Sequence, residues 1–250
     1  MSAEGVSGGG SGVSGGAATA LWRGEPGSGA MEAARAGGRA AIRVRRIQDQ
    51  IADVIRERII VGEYARGARL KQMELAAEFG VSVTPVREAF GLLEAEGYLA
   101  GASHRGSVVP LVDRDQAREI RDLRLVLERE LVRHAIANLD GATLAAARAV
   151  HDACGAAVAA GDRIEVRRLN YRFHFILYEI ARRPQTLAFV RVLWAKYPFH
   201  DLDAIDRRQS RMQDEHAAFL ERLAGGDPEA AIEAMDSHIR RGWAEYAGEP

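Results

Sequence analysis

Three histidines are laid out so that they can act together. His174 falls in a helical stretch with Asn170 one turn earlier on the same face. His216 follows 42 residues later and His238 another 22 after that, each in its own helical segment. Three neutral imidazoles and one amide oxygen from separate helices can converge inside a bundle, leaving coordination positions open for a small molecule. The same spacing also fits three unrelated, half-buried histidines, and at this point both readings stand. His134, His151 and His200 show no partner pattern and read as surface or core residues.

A second group of residues lies on one short helix near the N-terminal third. The tract Gly80-Val81-Ser82 is a tight turn, Ser82 is a suitable N-cap, and Pro85 falls in the first turn, where a missing N–H costs nothing. Val86, Ala89, Phe90 and Leu93 share an apolar face, while Val83, Thr84, Arg87, Glu88 and Gly91 share the other. Placed in a major groove, such a helix reads base edges from its N-terminal turns. Arg87 then clamps a phosphate or pairs with a guanine, and Thr84 with the first-turn amides suits a phosphate. Taken alone, Arg87 equally fits a solvated surface arginine paired with an acid.

The elements that must position these groups follow from periodicity. Ile47, Ile51, Val54, Ile55 and Ile59 have the spacing of an amphipathic helix, ended by Gly62 and a turn at Gly67. A short helix over about 72–79, carrying Leu75, Ala76 and Phe79, precedes the reading helix over about 83–96. Tyr98-Leu99-Ala100-Gly101 and Ser107-Val108-Val109, around a turn at His104-Arg105-Gly106, predict a two-stranded hairpin whose tip can reach the neighbouring minor groove or backbone. Helix, helix-turn-helix and hairpin make a winged helix-turn-helix. Beyond Pro110 helices are predicted over about 114–138, 141–160, 162–181, 185–197, 207–224 and 227–246, punctuated by Gly141, Gly161, Pro184, Gly225-Gly226 and Pro228. Ile120, Leu123, Leu127 and Leu131 form the expected apolar stripe of the first. No strand pattern interrupts this half, so an antiparallel helical bundle is expected.

Composition sets outer bounds. The 250 residues carry 34 Lys+Arg against 35 Asp+Glu, so any affinity for nucleic acid rests on where charge sits rather than on its sum. With 47% hydrophobic residues the chain can bury a core. Cys154 is the single cysteine, which excludes an internal disulfide and a cysteine-built zinc site and reads as small core packing. No apolar run is long enough to span a membrane and no secretory signal is visible, so a cytoplasmic protein is expected. Residues 1–40 hold 12 of the 26 glycines among serines and alanines and read as a flexible tail. Three parts result: the tail 1–40, a winged helix-turn-helix 41–112 suited to DNA, and a helical half 113–250.

Gly80-Val-Ser-Val-Thr-Pro-Val-Arg-Glu-Ala-Phe90, followed by Leu93-Glu-Ala-Glu-Gly97-Tyr-Leu99, closely resembles the DNA-binding signature of GntR-family transcription regulators. The helical half is similar to the FadR-type (FCD) effector domain of that family, and the two together cover about residues 42–246. The resemblance implies DNA contacts by Ser82, Thr84 and Arg87, and by Arg105 at the tip of the wing. It departs at Val83, where many members carry arginine, which implies one base or phosphate contact fewer. Asn170-Tyr-Arg-Phe-His174, Asp214-Glu-His216 and Asp236-Ser-His238 resemble the metal site of many FadR-type domains, implying Asn170, His174, His216 and His238 as ligands of a divalent ion, Zn²⁺, Ni²⁺ or Mn²⁺. Asn170 replaces the commoner aspartate, and a neutral amide oxygen is the weaker ligand for a hard cation. Arg124-Leu-Val-Leu-Glu128 is similar to a segment whose arginine holds the effector's carboxylate. A buried guanidinium needs an anionic partner, and for Arg124 that is either the effector or Glu128, one turn on.

The reading that unites these features is a ligand-responsive transcription regulator, a repressor, binding a palindromic double-stranded operator as a homodimer and a small carboxylate effector at the metal and Arg124. A regulator without metal is a second possibility, although relatives of that kind lack the histidine set. A three-histidine metalloenzyme is a third, against which stand the absence of an H-E-x-x-H helix and of a marked general base.

Overall fold

The computed structural model describes residues 46–101, 106–197 and 206–247, all within one compact unit, Arg46–Pro250. Its fold is mainly α, a winged helix-turn-helix followed by a helical bundle. Helix α1 (Ile47–Ile60) buries Ile51, Ala52, Ile55, Ile59 and Ile60, against the buried Val86, Ala89, Phe90 and Leu93 of α3 (Val83–Ala95). Between them α2 (Gln72–Phe79) ends at Gly80 in the left-handed conformation, which turns the chain into α3. Ser82 occupies the N-cap position of α3, but its side chain makes no capping hydrogen bond.

The wing differs from the expected hairpin. Strand β2 (Ser107–Val108) pairs antiparallel with β1 (Arg69–Leu70), with Arg69 opposite Val108 and Leu70 opposite Ser107. The 98–101 segment contributes only a bridge from Ala100 to Val108, because the amides of buried Tyr98 and Leu99 still donate to the Leu93 carbonyl in the last turn of α3. Gly106, at φ +98°, fits where any Cβ would run into the Leu70 carbonyl oxygen, so the return of the wing requires glycine. His104 and Arg105 lie outside the described residues, as do His200 and the 1–40 tail.

The remaining elements are α4 (Arg114–Ile136), α5 (Gly141–Ala160), α6 (Arg163–Ile180), α7 (Pro184–Lys196), α8 (Asp206–Ala224) and α9 (Pro228–Ala247). Aspartate caps explain several starts: Asp113 accepts from the Gln116 amide in a capping box, Asp140 from Thr143 and Asp162 from Glu165. Pro184 opens α7, where its missing N–H is harmless. The inward face of α4 is not the expected aliphatic stripe. Ile120 and Leu131 are buried but Leu123 is 44% exposed, and the polar Arg124 and Glu128 lie inside instead. Helices α5 and α6 pack together, α8 lies against α5 and α9, and α4 packs on α6, α7 and α9. Where the bundle meets the wing, Ala117, Ile120, Tyr197 and Trp243 close a small core, flanked by Val112 and Leu193.

Candidate metal centre and nucleic-acid interface

Helices α6, α8 and α9 bring His174, His216 and His238 into one buried cluster. One ligand atom from each lies within 4.8 Å of the others. The imidazole centroids are 5.2 Å apart for His174 and His216, 5.2 Å for His174 and His238, and 4.8 Å for His216 and His238. The three are at most 7% exposed. Apolar neighbours hold the rings: Phe173 stacks on His216 at 4.0 Å, and Trp194 lies 4.9 Å from the His174 ring.

Hydrogen bonds fix which nitrogen two of these rings turn inward. Nδ1 of His174 lies 3.1 Å from the Tyr178 hydroxyl, which is 2.6 Å from Glu128 Oε2. Burial, reinforced by the Glu128 charge, raises the Tyr178 pKa well above that of an ordinary phenol, so the hydroxyl keeps its proton. That proton goes to the carboxylate, which can only accept, so the Tyr178 oxygen accepts from His174 Nδ1–H. His174 is thereby left with its Nε2 lone pair as the donor atom. His238 is set in the same way, with Nδ1 2.7 Å from Glu215 Oε2, while Arg241 holds the other Glu215 oxygen at 2.6 Å. Carboxylates and hydroxyls behind imidazoles are the usual outer shell of a metal site.

Asn170 is on α6 one turn before His174, on the same face, and its Oδ1 is buried without a hydrogen-bond partner. A buried amide oxygen left bare is costly, and a cation beside it removes the cost. The donor set of three imidazoles and one amide oxygen therefore fits a divalent ion of borderline softness. Asp214 is exposed, whereas Asp236 is buried, its carboxyl pKa raised by that burial, and pairs with Arg129 at 3.0 Å.

Arg124 is buried and its partner is Glu128, at 2.6 Å. Of the two partners open to it from sequence, the structure shows the helix neighbour. The guanidinium also lies over the rings of Trp194, at 4.7 Å, and Tyr197, at 4.6 Å. Trp194 thus separates Arg124 from His174 by a single side chain. Tyr178 and Trp194, which reach Glu128 from 50 and 66 residues away, had no sequence signal marking them as part of the site. His151 on α5, read as unrelated, has its ring 6.4 Å from that of His216.

The other candidate surface is the N-terminal part of α3. Ser82, Val83, Thr84, Arg87 and Glu88 are all exposed on the face opposite the core residues. Arg87 is exposed, and among the described residues no acid pairs with it. Exposed polar groups at the start of a helix, backed by a rigid apolar face, suit insertion in a major groove. Among the described residues no helix is long and apolar enough to cross a membrane.

Comparison with known proteins agrees with both halves. Residues 47–109 match the family described as bacterial regulatory proteins, gntR family, and residues 119–241 match the FCD domain. The chain is 30% identical over 179 residues to the Nta operon transcriptional regulator of Aminobacter aminovorans, covering 70% of this chain and 82% of that protein. It is 28% identical over 198 residues to the "Probable D-xylose utilization operon transcriptional repressor" of Paenarthrobacter nicotinovorans, covering 77% and 85%. The HTH-type transcriptional regulator McbR of Escherichia coli (strain K12) is 29% identical over 147 residues, which is 59% of this chain and 66% of McbR, just under two thirds. The solved McbR structure shares the fold, with a TM-score of 0.77 at 24% identity over 82% of this chain and 99% of that one.

Proposed function

Because the chain belongs to the GntR family of bacterial regulatory proteins, with the FCD domain of its FadR-type members, we propose that it is a repressor whose DNA affinity is set by a small carboxylate bound at a metal ion. Its relatives are transcription regulators, not enzymes. Residues 41–112 would form the reading unit and 113–250 the effector and dimerisation unit. Ser82, Thr84 and Arg87, with Arg105 on the wing, contact the DNA in this reading. Two copies related by a two-fold axis would place two such helices on the half-sites of a palindrome in the cytoplasm.

The observation that carries the effector half is the buried three-imidazole cluster with its donor nitrogens turned inward. Asn170, His174, His216 and His238 would hold Zn²⁺, Ni²⁺ or Mn²⁺. When bound, such an ion supplies positive charge and open positions for carboxylate oxygens. Arg124 would complete the recognition, since a planar guanidinium matches the geometry of a carboxylate. A ligand of this kind shifts DNA affinity only by its preference for one dimer geometry over another.

Metal content by elemental mass spectrometry tests the first step, on untagged protein and on His216→Ala. About one ion per chain, lost in the variant, is expected. No metal in either after incubation with Zn²⁺, Ni²⁺ and Mn²⁺ overturns the metal reading. Binding to DNA enriched from a random pool, with and without small carboxylates, then tests the second.

A further inference from the structure

One carboxylate stands between the imidazole cluster and the DNA-reading unit. Glu128 is completely buried and accepts from Arg124 Nε at 2.6 Å, from the Tyr178 hydroxyl at 2.6 Å and from Trp194 Nε1 at 2.9 Å. Each donor belongs to a different helix, α4 itself, α6 and α7. Tyr178 carries the bond to His174. Trp194 stands in the last turn of α7, fully buried and against the His174 ring.

Helix α7 is also where the reading unit takes hold. Arg66, in the turn between α1 and β1, donates to the carbonyl of Ala195 and reaches that of Tyr197 at 3.4 Å, both at the C-terminal end of α7. The same guanidinium reaches the Pro110 carbonyl at 3.4 Å, at the junction between wing and bundle. Higher on α7, the Arg191 carbonyl accepts from the Tyr98 hydroxyl at 3.1 Å. A cation on the carbonyls that end a helix is a directional contact that follows any shift of that end.

We infer that Glu128 is a positioning residue that ties His174 to α7, and that Arg66 passes the resulting position of α7 to the DNA-reading unit. The inference rests on the metal reading above. Drawing His174 onto an ion moves the Tyr178 oxygen, and the carboxylate must follow or leave a buried donor unsatisfied. Trp194 depends on the same carboxylate, so the adjustment arrives at the turn of α7 that Arg66 grips. A rival path runs along α6, where Arg168 pairs with Glu57 at 2.9 Å and Glu63 at 3.2 Å on α1 and the turn after it. Those pairs are partly exposed and screened, and they lie about two turns from His174.

Hydrogen–deuterium exchange on the full chain, chelator-treated and then loaded with Zn²⁺, separates the two paths. In the wild type Zn²⁺ is expected to slow exchange in α6, α8 and α9, in 190–197, and at the Gly67 and Ala68 amides, which bond to Val109 and Ala65 carbonyls. Tyr178→Phe removes one oxygen and is expected to keep one zinc per chain, with affinity lowered about 10–100-fold, while losing the response at Gly67 and Ala68. Arg66→Gln should lose that response with zinc affinity unchanged. Zinc protection that stops at the ligand helices in the wild type, or that Tyr178→Phe transmits undiminished, overturns the inference. Absence of zinc binding by the wild type instead overturns the metal reading beneath it.

Discussion

The two functional regions hold their polar groups in opposite ways. On α3, Ser82, Thr84 and Arg87 stand in solvent on a helix whose other face is fully packed by Val86, Ala89, Phe90 and Leu93. In the bundle, His174, His216, His238, Arg124 and Glu128 are all buried. Two of those imidazoles are held from behind by a group that has a further partner of its own. A surface side chain can change without disturbing its neighbours, because water replaces whatever it loses. A buried network cannot, since each member satisfies another and an orphaned group costs its full desolvation. Variants on α3 should therefore act independently on binding, and variants in the bundle should act on folding and ligand together.

The largest contrast is expected from metal. Zn²⁺ at about 1,000 times its dissociation constant should stabilise the wild type by about 4 kcal/mol, read as an upward shift of the melting temperature. His216→Ala should show no shift. A comparable zinc-dependent rise in the variant would place the ion elsewhere and dissolve the contrast between the two regions.

Next comes the carboxylate at the centre. Glu128→Ala strands the buried Arg124 charge and two buried donors, and should lower unfolding free energy by about 3–5 kcal/mol in urea titrations. Glu128→Leu combined with Arg124→Met should cost less than Glu128→Ala alone, because no charge is then left unpaired. Simple additivity of the single changes would show that the pair is not coupled as its 2.6 Å contact indicates.

Arg87→Ala sharpens the comparison from the other side. Its exposed position predicts a stability change within about 0.5 kcal/mol, yet a loss of about 1–3 kcal/mol in affinity for selected DNA if it reads a base. Equal weakening on every sequence, with a smaller salt slope, would assign it to a phosphate instead. A fall in stability as large as that of Glu128→Ala would make α3 a structural element rather than a reading surface.

The sequence exposed these two regions unequally, and for the same physical reason. The α3 face is local: a turn, a cap position and an alternation of apolar and polar residues lie within a dozen positions, so helix and face were both legible. The bundle's helices were legible from the breakers Gly141, Gly161 and Pro184, while the aspartate caps at 113, 140 and 162 emerge only from the structure. The histidines were legible as candidates by their layout and by the family resemblance, but the groups that orient them were not. Tyr178 and Trp194 meet Glu128 across 50 and 66 residues, and no periodicity encodes such a meeting. Leu123 failed as a core residue because Arg124 and Glu128 take the inward positions. Strand β1 was not legible because two residues, Arg69 and Leu70, show no alternation; it pairs with one edge of β2, while the expected hairpin survives on the other edge as the Ala100–Val108 bridge.

The smallest effect is expected at Cys154, a buried group of the bundle with no role in either site. Desolvation pushes its thiol up to about 11 against a hydrogen bond with the Gln213 side chain, and the thiol also donates to the Val166 carbonyl at 3.8 Å. In the unfolded chain a cysteine titrates near about 8.5. Below that value both states hold the proton and the group adds no pH dependence. Above it the unfolded chain releases the proton while the native chain keeps it, so stability falls as pH rises toward 11, by on the order of 1 kcal/mol per unit. Other groups titrate in the same range, so the informative quantity is the difference between wild type and Cys154→Ala in urea titrations at pH 8, 9 and 10. The two should run parallel up to about pH 8.5 and converge or cross above it. Parallel curves throughout would mean that the native bundle admits water at α5, and that burial there does not isolate polar groups as strongly as the contrast with α3 requires.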